Sequence, residues 1–338
     1  MAINTIILGI ETSCDDTAAS IVRNGQVLSN IVSTQSEHAL FGGVVPELAS
    51  RAHQRLIVPV VEQALRDAGI SRNQLSAIAV TFGPGLAGSL LVGVSFAKSL
   101  AMALGIPVIG INHLDGHIAS LMLSDPSPVA PYLCLIVSGG HTQIMHVRQD
   151  ASRELLGKTR DDAAGEAFDK VAKILGLGFP GGPEIEKISL TGDPNYHRFP
   201  RTRLKGYDYS FSGIKTNLLY YLNSFKGDER EELLRKHLPD ICASFQEAVI
   251  DMLAAPIESA LDNLGLQNVG LVGGVSANKS LRDRFVQIAA IRGGVCAVPH
   301  IQYSMDNAAM IAVSGFDKFG RNQFSPLTLS AVPSLAFS

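Results

Sequence analysis

Six consecutive residues, Glu11-Thr12-Ser13-Cys14-Asp15-Asp16, set three carboxylates and two hydroxyls directly after an apolar run, Ile3 to Ile10. Ligands of open α/β sheets bind at strand ends, and three acids in one turn repel each other unless a cation or a donor-rich ligand lies among them. A solvated hairpin turn uses the same residue types. Asp15 and Asp16 are the candidates here for accepting a proton. Further on, His113-Leu-Asp-Gly-His117 spaces two imidazoles four residues apart, hence on one helical face, where they can share a metal. Zinc peptidases of the HExxH type need a glutamate next to the first histidine as general base; Leu114 stands there, which disfavours that chemistry. The best third ligand is Asp306, in Ser304-Met-Asp-Asn307 at the expected start of the last helix. Two histidines and a carboxylate leave open positions suited to iron(II) or zinc.

Two glycine pairs offer the complementary chemistry. Ser138-Gly139-Gly140-His141-Thr142 joins two apolar runs, and successive N–H groups in such a turn form an anion-binding nest. Gly273-Gly274-Val-Ser-Ala-Asn278 leads from a strand into a helix, whose N-terminal amides favour anions. The segment His197 to Lys215 holds five Lys or Arg against one Asp, interleaved with four aromatics. That mixture suits phosphate contacts with base stacking and equally a solvated loop.

The elements that must position these residues repeat. Ile3 to Ile10, Thr17 to Val22 and Val27 to Val32 read as strands, with Asn24-Gly25 as a hairpin turn. A helix starts at Pro46-Glu47 and ends by Gly69, with Pro59 expected to kink it. A strand (77–82), the Gly83-Pro-Gly break, an apolar helix, a strand (107–112) and a short helix from His113 follow. The second half opens alike, with strands 132–137, 142–147 and 154–157 and a helix 161–175. After a long middle region come helix 241–264, strand 269–272, helix 277–290, strand 295–298 and helix 305–319. The order βββ-α-β-α-β-α thus occurs twice.

With 338 residues, the chain exceeds what one core usually serves, so two domains of about 150 residues each are expected. Hydrophobic residues at 46% and charged residues at 17% exclude a disordered chain. A net charge of −3 excludes global attraction to polyanions, so any nucleic-acid contact must be local. The cysteines Cys14, Cys134, Cys242 and Cys296 form no CxxC pair, which fits free thiols in a reducing compartment and a cytoplasmic protein. No signal-peptide pattern is seen at the start. Ala87 to Leu104 is apolar, yet its Lys98, glycines and serines read as a buried core helix rather than a membrane span.

The doubled order resembles the actin-like, sugar kinase and Hsp70-ATPase-like (ASKHA) superfamily. That resemblance implies a duplicated α/β fold, with two lobes around a nucleotide cleft and glycine turns from each lobe meeting the phosphates. The first lobe would span 1–125, with the last helix, about 304–325, packing back on it. The second would span 130–300 with an inserted helical and basic segment at about 176–240. A sugar kinase would share the lobes but needs no two-histidine metal site, and a non-enzymatic ATPase module would show no acyl transfer.

More specifically, the sequence resembles the TsaD family, which makes N6-threonylcarbamoyladenosine in tRNA. The matching strings are Gly9-Ile-Glu-Thr-Ser-Cys-Asp-Asp16, Gly42-Gly-Val-Val-Pro-Glu-Leu-Ala-Ser-Arg51, Gly83-Pro-Gly85, His113-Leu-Asp-Gly-His117, Val137-Ser-Gly-Gly-His-Thr142, Asp162-Ala-Ala-Gly-Glu-Ala-Phe-Asp-Lys170, Phe179-Pro-Gly-Gly-Pro183, Phe211-Ser-Gly-Ile-Lys-Thr216, Gly273-Gly-Val-Ser-Ala-Asn278 and Asp306-Asn307. They imply transfer of threonylcarbamoyl from threonylcarbamoyl-AMP to the N6 amine of the adenosine 3′ of the anticodon, position 37, in tRNAs reading codons that begin with A, with release of AMP. By motif, His113, His117 and Asp306 hold one divalent metal per chain, iron(II) favoured and zinc the alternative. Ile136, Val137, Ser138, Gly139, Gly140, Asp169, Gly182, Glu186 and Asn278 bind the acyl adenylate. Glu186 stands where many relatives have Asp, and Asp16 where relatives often have Glu. The implied partners are tRNA, a smaller paralogue of the same fold and a P-loop ATPase, with no membrane. The final stretch, Leu327-Thr-Leu-Ser-Ala-Val-Pro-Ser, departs from the Arg-Pro-rich tail of many relatives.

Overall fold

The computed structural model describes residues 4–35, 38, 41 and 43–336; Gly42 of the second family string and Ile3 of the first strand run lie outside the described residues. Two units divide the chain. Unit 1 takes Met1–Ser124 and Pro299–Ser338, and unit 2 takes Asp125–Val298.

Unit 1 begins with an antiparallel meander of β1 (Ile6–Glu11), β2 (Asp16–Arg23) and β3 (Gln26–Thr34). Asn24 and Gly25, at φ +50° and +83°, make the tight turn between β2 and β3, and the Asn24 side chain accepts the Thr5 N–H at 2.9 Å. The α1 helix (Pro46–Asp67) runs through Pro59, and β4 (Ala77–Gly83), α2 (Ala87–Leu104), β5 (Val108–Asn112) and α3 (His113–Ala119) follow. The sheet order is β3-β2-β1-β4-β5, with β1, β4 and β5 parallel. Strand alternation sends Ile6, Leu8 and Ile10 into one cluster with Ile57, Val60, Val94 and Ala97 of α1 and α2. The apolar α2 is buried along one face only, at Leu90, Val94, Ala97 and Ala101, while Leu91 and Met102 are exposed. By length and composition it could cross a membrane, but its buried face packs on β4 and α1.

In unit 2, β6 (Tyr132–Val137), β7 (Thr142–Val147) and β8 (Arg153–Lys158) form the second meander. Then come α4 (Ala164–Leu175), α5 (Gly181–Ser189), α6 (Ser212–Asn223), α7 (Asp228–Leu264), β9 (Val269–Val272), α8 (Lys279–Ile291) and β10 (Cys296–Ala297), in the sheet order β10-β9-β6-β7-β8. The expected start of α4 at Asp161 is corrected to Ala164, because Asp161 is bonded elsewhere: its carboxylate accepts the N–H of Phe211 at 2.8 Å. The α7 helix starts 13 residues before the expected Ile241, at Asp228 (241 − 228), and continues through Pro239 and Pro256. Only Leu233 of its early part is buried, so no helical apolar stripe marks it, although Asp228, Glu229 and Glu231 favour a helix start.

The chain then returns to unit 1 as α9 (Ala308–Gly320), capped by Asn307, whose side chain accepts the Met310 N–H at 3.1 Å. Asp306 therefore lies in the turn before the helix rather than on it. Ile7, Ala79, Ile109 and Ile111 meet Met310, Ala312 and Val313 of α9 on the second face of the sheet. A β-carbon on Gly9 would stand 2.4 Å from the Ala308 carbonyl oxygen, so the absence of a side chain there lets α9 lie against β1. The residues after α9 cross the β4 and β5 ends. Ser325 pairs with Val108, Lys98 Nζ donates to the Leu329 carbonyl at 2.9 Å, and the Val332 N–H donates to Phe82 O at 2.7 Å.

Candidate metal centre and anion-binding turns

The metal-ligand candidates meet in unit 1. The end of β5 delivers His113 and His117 through α3, whose first turn is capped by the Asn112 side chain accepting the Leu114 N–H at 2.9 Å. The two rings stand edge to face with centroids 4.7 Å apart. Asp306 Oδ1 lies 3.5 Å from His113 Nε2 and 3.2 Å from His117 Nε2, and ligand atoms of all three residues fall within 4.8 Å of one another. Both nitrogens of His117, a residue 1% exposed, lack a hydrogen-bond partner. Leaving a buried polar group so costs about 1–3 kcal/mol. A cation at Nε2 would remove part of that cost, and two imidazoles with one carboxylate are a donor set for iron(II) or zinc; the residues present fit the metal.

In sequence Glu11 is one of three turn acids, whereas the fold separates it from the other two. It is fully buried at the end of β1, beside Thr81 of β4. The Thr81 hydroxyl donates to Glu11 Oε2 at 2.6 Å, the Ser13 N–H donates to Oε1, and His113 Nδ1 lies 3.1 Å from Oε2. Burial alone would push its pKa up; the charge and hydrogen bond of His113 outweigh that and hold it below the ordinary value. Burial likewise opposes charge on His113, yet Asp306 and Glu11 raise it to about 9. A signal for Glu11 was present in the sequence, since a carboxylate closing a strand otherwise apolar on both faces must be paired.

The remaining turn is fixed by a residue that no sequence motif singles out. His53 of α1 is fully buried, with Nε2 2.9 Å from the Cys14 carbonyl and Nδ1 2.8 Å from the Thr17 hydroxyl. A carbonyl only accepts, so Nε2 carries the proton and Nδ1 accepts from Thr17; burial, which lowers the His53 pKa, keeps the ring neutral. Asp15 and Asp16 then stand half-buried. Asp16 Oδ1 has no hydrogen-bond partner, and burial pushes the carboxyl up to about 7 despite a bond from Thr34. Burial also raises the Cys14 thiol far above its ordinary range, which disfavours the thiolate.

In unit 2, Ser138 closes the β6–β7 turn: its N–H donates to His141 O at 2.8 Å, and its hydroxyl accepts the His141 N–H at 3.1 Å. Gly139 and Gly140 are exposed, and no atom lies within 4 Å of where a β-carbon would stand on either. Ile136 and Val137 have side chains in the core, so only their backbone can meet a ligand. Gly273 is in the left-handed region at φ +91°, and a β-carbon there would lie 2.5 Å from Val137 O. Asp169 caps α5, accepting the Gly181 N–H at 2.7 Å, and the nearest atom to a β-carbon on Gly182 would be 3.9 Å away. Glu186 Oε1 accepts the Lys279 N–H at 2.7 Å, tying α5 to the first turn of α8. That helix begins at Lys279 rather than Ala277, because Asn278 is its cap: Oδ1 accepts the Leu281 N–H at 2.9 Å, and Nδ2 donates to Gln246 at 2.7 Å. The structure thus joins Glu186 and Asn278 around the start of α8, and Val137 with Gly273 at the ends of β6 and β9.

Of the two readings left open for segment 197–215, base stacking keeps at most Tyr207, which is half-buried. Phe199, Tyr209 and Phe211 are buried in the unit 2 core and offer no face for stacking. Arg201 pairs with Asp251 at 3.0 Å and Lys215 with Asp162 at 2.9 Å, while Arg198, Arg203 and Lys205 are exposed.

A family model described as TsaD, tRNA N6-adenosine threonylcarbamoyltransferase, matches residues 26–313. Three relatives bear that enzyme name: one from Salinibacter ruber, 53% identical over 98% of this chain and 99% of its own; one from Porphyromonas gingivalis, 50% identical over 97% of each; and one from Thermosipho africanus, 47% identical over 98% and 99%. Among solved structures, full-length HypF in a phosphate- and nucleotide-bound form is similar at TM-score 0.60 and 14% identity, over 95% of this chain and 56% of that one. Component A of the Acidaminococcus fermentans (R)-2-hydroxyglutaryl-CoA dehydratase is similar at TM-score 0.56 and 13% identity, over 94% and 99%. At these identities the likeness shows the ASKHA-type fold alone.

Proposed function

The chain belongs to the TsaD family and is a tRNA-modifying acyltransferase that forms N6-threonylcarbamoyladenosine, and from that premise we propose how its residues divide the work. The donor is threonylcarbamoyl-AMP. The acceptor is the adenosine at position 37 of tRNAs reading codons that begin with A. The N6 amine attacks the carbamoyl carbon, the N–C bond forms, and the C–O bond to phosphate breaks with its electron pair leaving on AMP. Asp16 takes the amine proton: burial pushes its carboxyl up to about 7, a value at which a carboxylate can both accept and release a proton near neutrality. Asp15 adds negative charge beside it. Gly139, Gly140 and Gly182 leave backbone approachable for the adenylate, with Asp169, Glu186 and Asn278 holding the helix starts around them.

His113, His117 and Asp306 hold one divalent metal, iron(II) in preference to zinc. When bound, it supplies Lewis-acid polarisation of ligand oxygens. The observation that carries this reading is the convergence of those three ligand groups within 4.8 Å around an imidazole with two unsatisfied nitrogens. Multiple turnovers need a smaller paralogue of the same fold, for which exposed Val58, Leu91 and Met102 of α1 and α2 offer an apolar surface, and a P-loop ATPase. The enzyme works in the cytoplasm with its tRNA. The test is incubation of the metal-loaded chain with threonylcarbamoyl-AMP and tRNA, followed by nucleoside mass analysis. Modified adenosine with AMP release is expected, and its absence even with the partner proteins present overturns the donor assignment.

A further inference from the structure

Resting on the metal assignment above, we propose that Glu11 is the positioning residue of the metal centre: it fixes the His113 tautomer so that Nε2, facing Asp306, is the nitrogen left to the metal, while His117 has no such partner. The argument is one of donors and acceptors. An ionised carboxylate only accepts. Glu11 Oε2 already receives the Thr81 hydroxyl, and His113 Nδ1 lies 3.1 Å from the same oxygen. Only Nδ1–H satisfies that contact, so the proton that a bound metal displaces is the one on Nε2, on the side of Asp306 Oδ1. The Ser13 hydroxyl, 3.1 Å from the same nitrogen, then serves as a second acceptor. Glu11 is itself over-determined. The parallel register that sets Ile10 opposite Val80 brings it beside Thr81, and the Ser13 N–H holds its other oxygen. His117 Nδ1, by contrast, is buried without a hydrogen-bond partner, so no carboxylate fixes its tautomer from behind.

Carboxylate partners of ligand histidines typically change metal affinity 10–100-fold when removed. The centre is therefore half pre-set, and its affinity depends on a residue that never touches the ion. The experiment uses the full chain and Co2+ or Zn2+ in competition with a chromophoric chelator. Glu11→Gln should weaken metal binding about 10–100-fold, Thr81→Val by less, and neither should change AMP binding by the same protein. Metal affinity within twofold of the parent in a folded Glu11→Gln chain overturns the role. Equal losses of metal and AMP binding point to general unfolding and overturn it too. Should Glu11→Gln fail to fold, the parent decides. In the zinc-loaded chain, 15N spectra should show the His113 proton on Nδ1, and coordination through Nδ1 would refute the proposal. Metal retained by a His113→Ala, His117→Ala chain would instead count against the metal assignment itself, so the two failures are distinguishable.

Discussion

The turn after β1 and the turn after β6 hold the same place in two repeated strand orders, yet their contents are opposite. Glu11 to Asp16 is filled: a buried carboxylate bonded to Thr81, Ser13 and His113, a carbonyl held by His53, and two further acids. Ser138 to His141 holds one hydroxyl, two glycines and an imidazole, with open space over Gly139 and Gly140 and no acid in the turn. The first arrangement gathers negative charge and suits cations or protons, in keeping with the upward direction of Asp16 and His113. The second offers backbone amides and suits anions. Topology supplied two equivalent strand ends; side-chain content suits one to cations and the other to anions.

The harshest way to break the comparison is to empty the cation site. His113→Ala with His117→Ala should take bound metal from about one ion per chain to near zero by elemental analysis, leaving AMP binding within twofold, since a structural or catalytic site of this type needs at least three protein ligands. Metal retained in the double variant would remove the centre from unit 1.

Glycines sharpen it next, because they do different jobs in the two units. Gly9→Ala drives a β-carbon to 2.4 Å from Ala308 O, and should cost about 1–3 kcal/mol of stability or more in urea unfolding. Gly140→Val meets no atom of the chain, so the fold should keep its Tm within about 2 °C, equivalent to less than about 1 kcal/mol. AMP binding should nonetheless fall at least about tenfold, or 1.4 kcal/mol. Unchanged AMP affinity would mean the ligand does not approach that backbone.

A smaller effect is expected from pH. The Asp16 carboxyl is raised to about 7 from an ordinary value of 3.8, so its stabilising contribution is complete below pH 3.8 and is lost as pH rises through 7. Asp16→Asn should therefore raise the Tm of the metal-free chain at pH 8 and leave it almost unchanged at pH 3.5. The transferase rate of the parent should rise with pH through about 7, and the variant should lose that rise. A parent rate flat between pH 6 and 8 would take the proton-accepting role from Asp16.

The smallest effect belongs to the exposed cations. Arg198→Ala, Arg203→Ala and Lys205→Ala together should flatten the slope of log tRNA affinity against log salt by about 0.7–0.9 for each phosphate these side chains neutralise. Arg201→Ala should lower stability instead, because that guanidinium is paired with Asp251. Filter binding over a salt series separates the two, and an unchanged slope in the triple variant would move tRNA recognition away from this segment.

What can be read from sequence follows the range of the signal. The β2–β3 turn is legible because Asn24-Gly25 is a local instruction, and the glycine turns because only glycine tolerates such backbones. The candidate ligands His113, His117 and Asp306 are legible too, but spacing reaches only the histidine pair. Adding Asp306 leans on residue type and family motif, since it requires α3 to leave β5 and the turn before α9 to return 189 residues later (306 − 117). Glu11 passes in sequence for one of a set of like charges because its partners Thr81 and His113 come from β4 and α3. Phe199, Tyr209 and Phe211 mislead because an aromatic among cations reads the same in sequence whether it faces solvent or a core.

The division of unit 1 along the chain also sets a timetable. Residues up to Ser124 leave the ribosome with Ile7, Ala79, Ile109 and Ile111 uncovered and with Gly9 facing nothing, since the helix that covers them begins at Ala308. At about 5–20 residues per second, that face waits on the order of 10–40 seconds while the whole of unit 2 is made. Asp306 emerges in the same closing stretch. With the proposed ligand set, metal uptake would belong to the end of translation: a nascent chain arrested after Val298 should hold the two histidines without Asp306, with an apolar sheet face open to chaperones for as long as the arrest lasts.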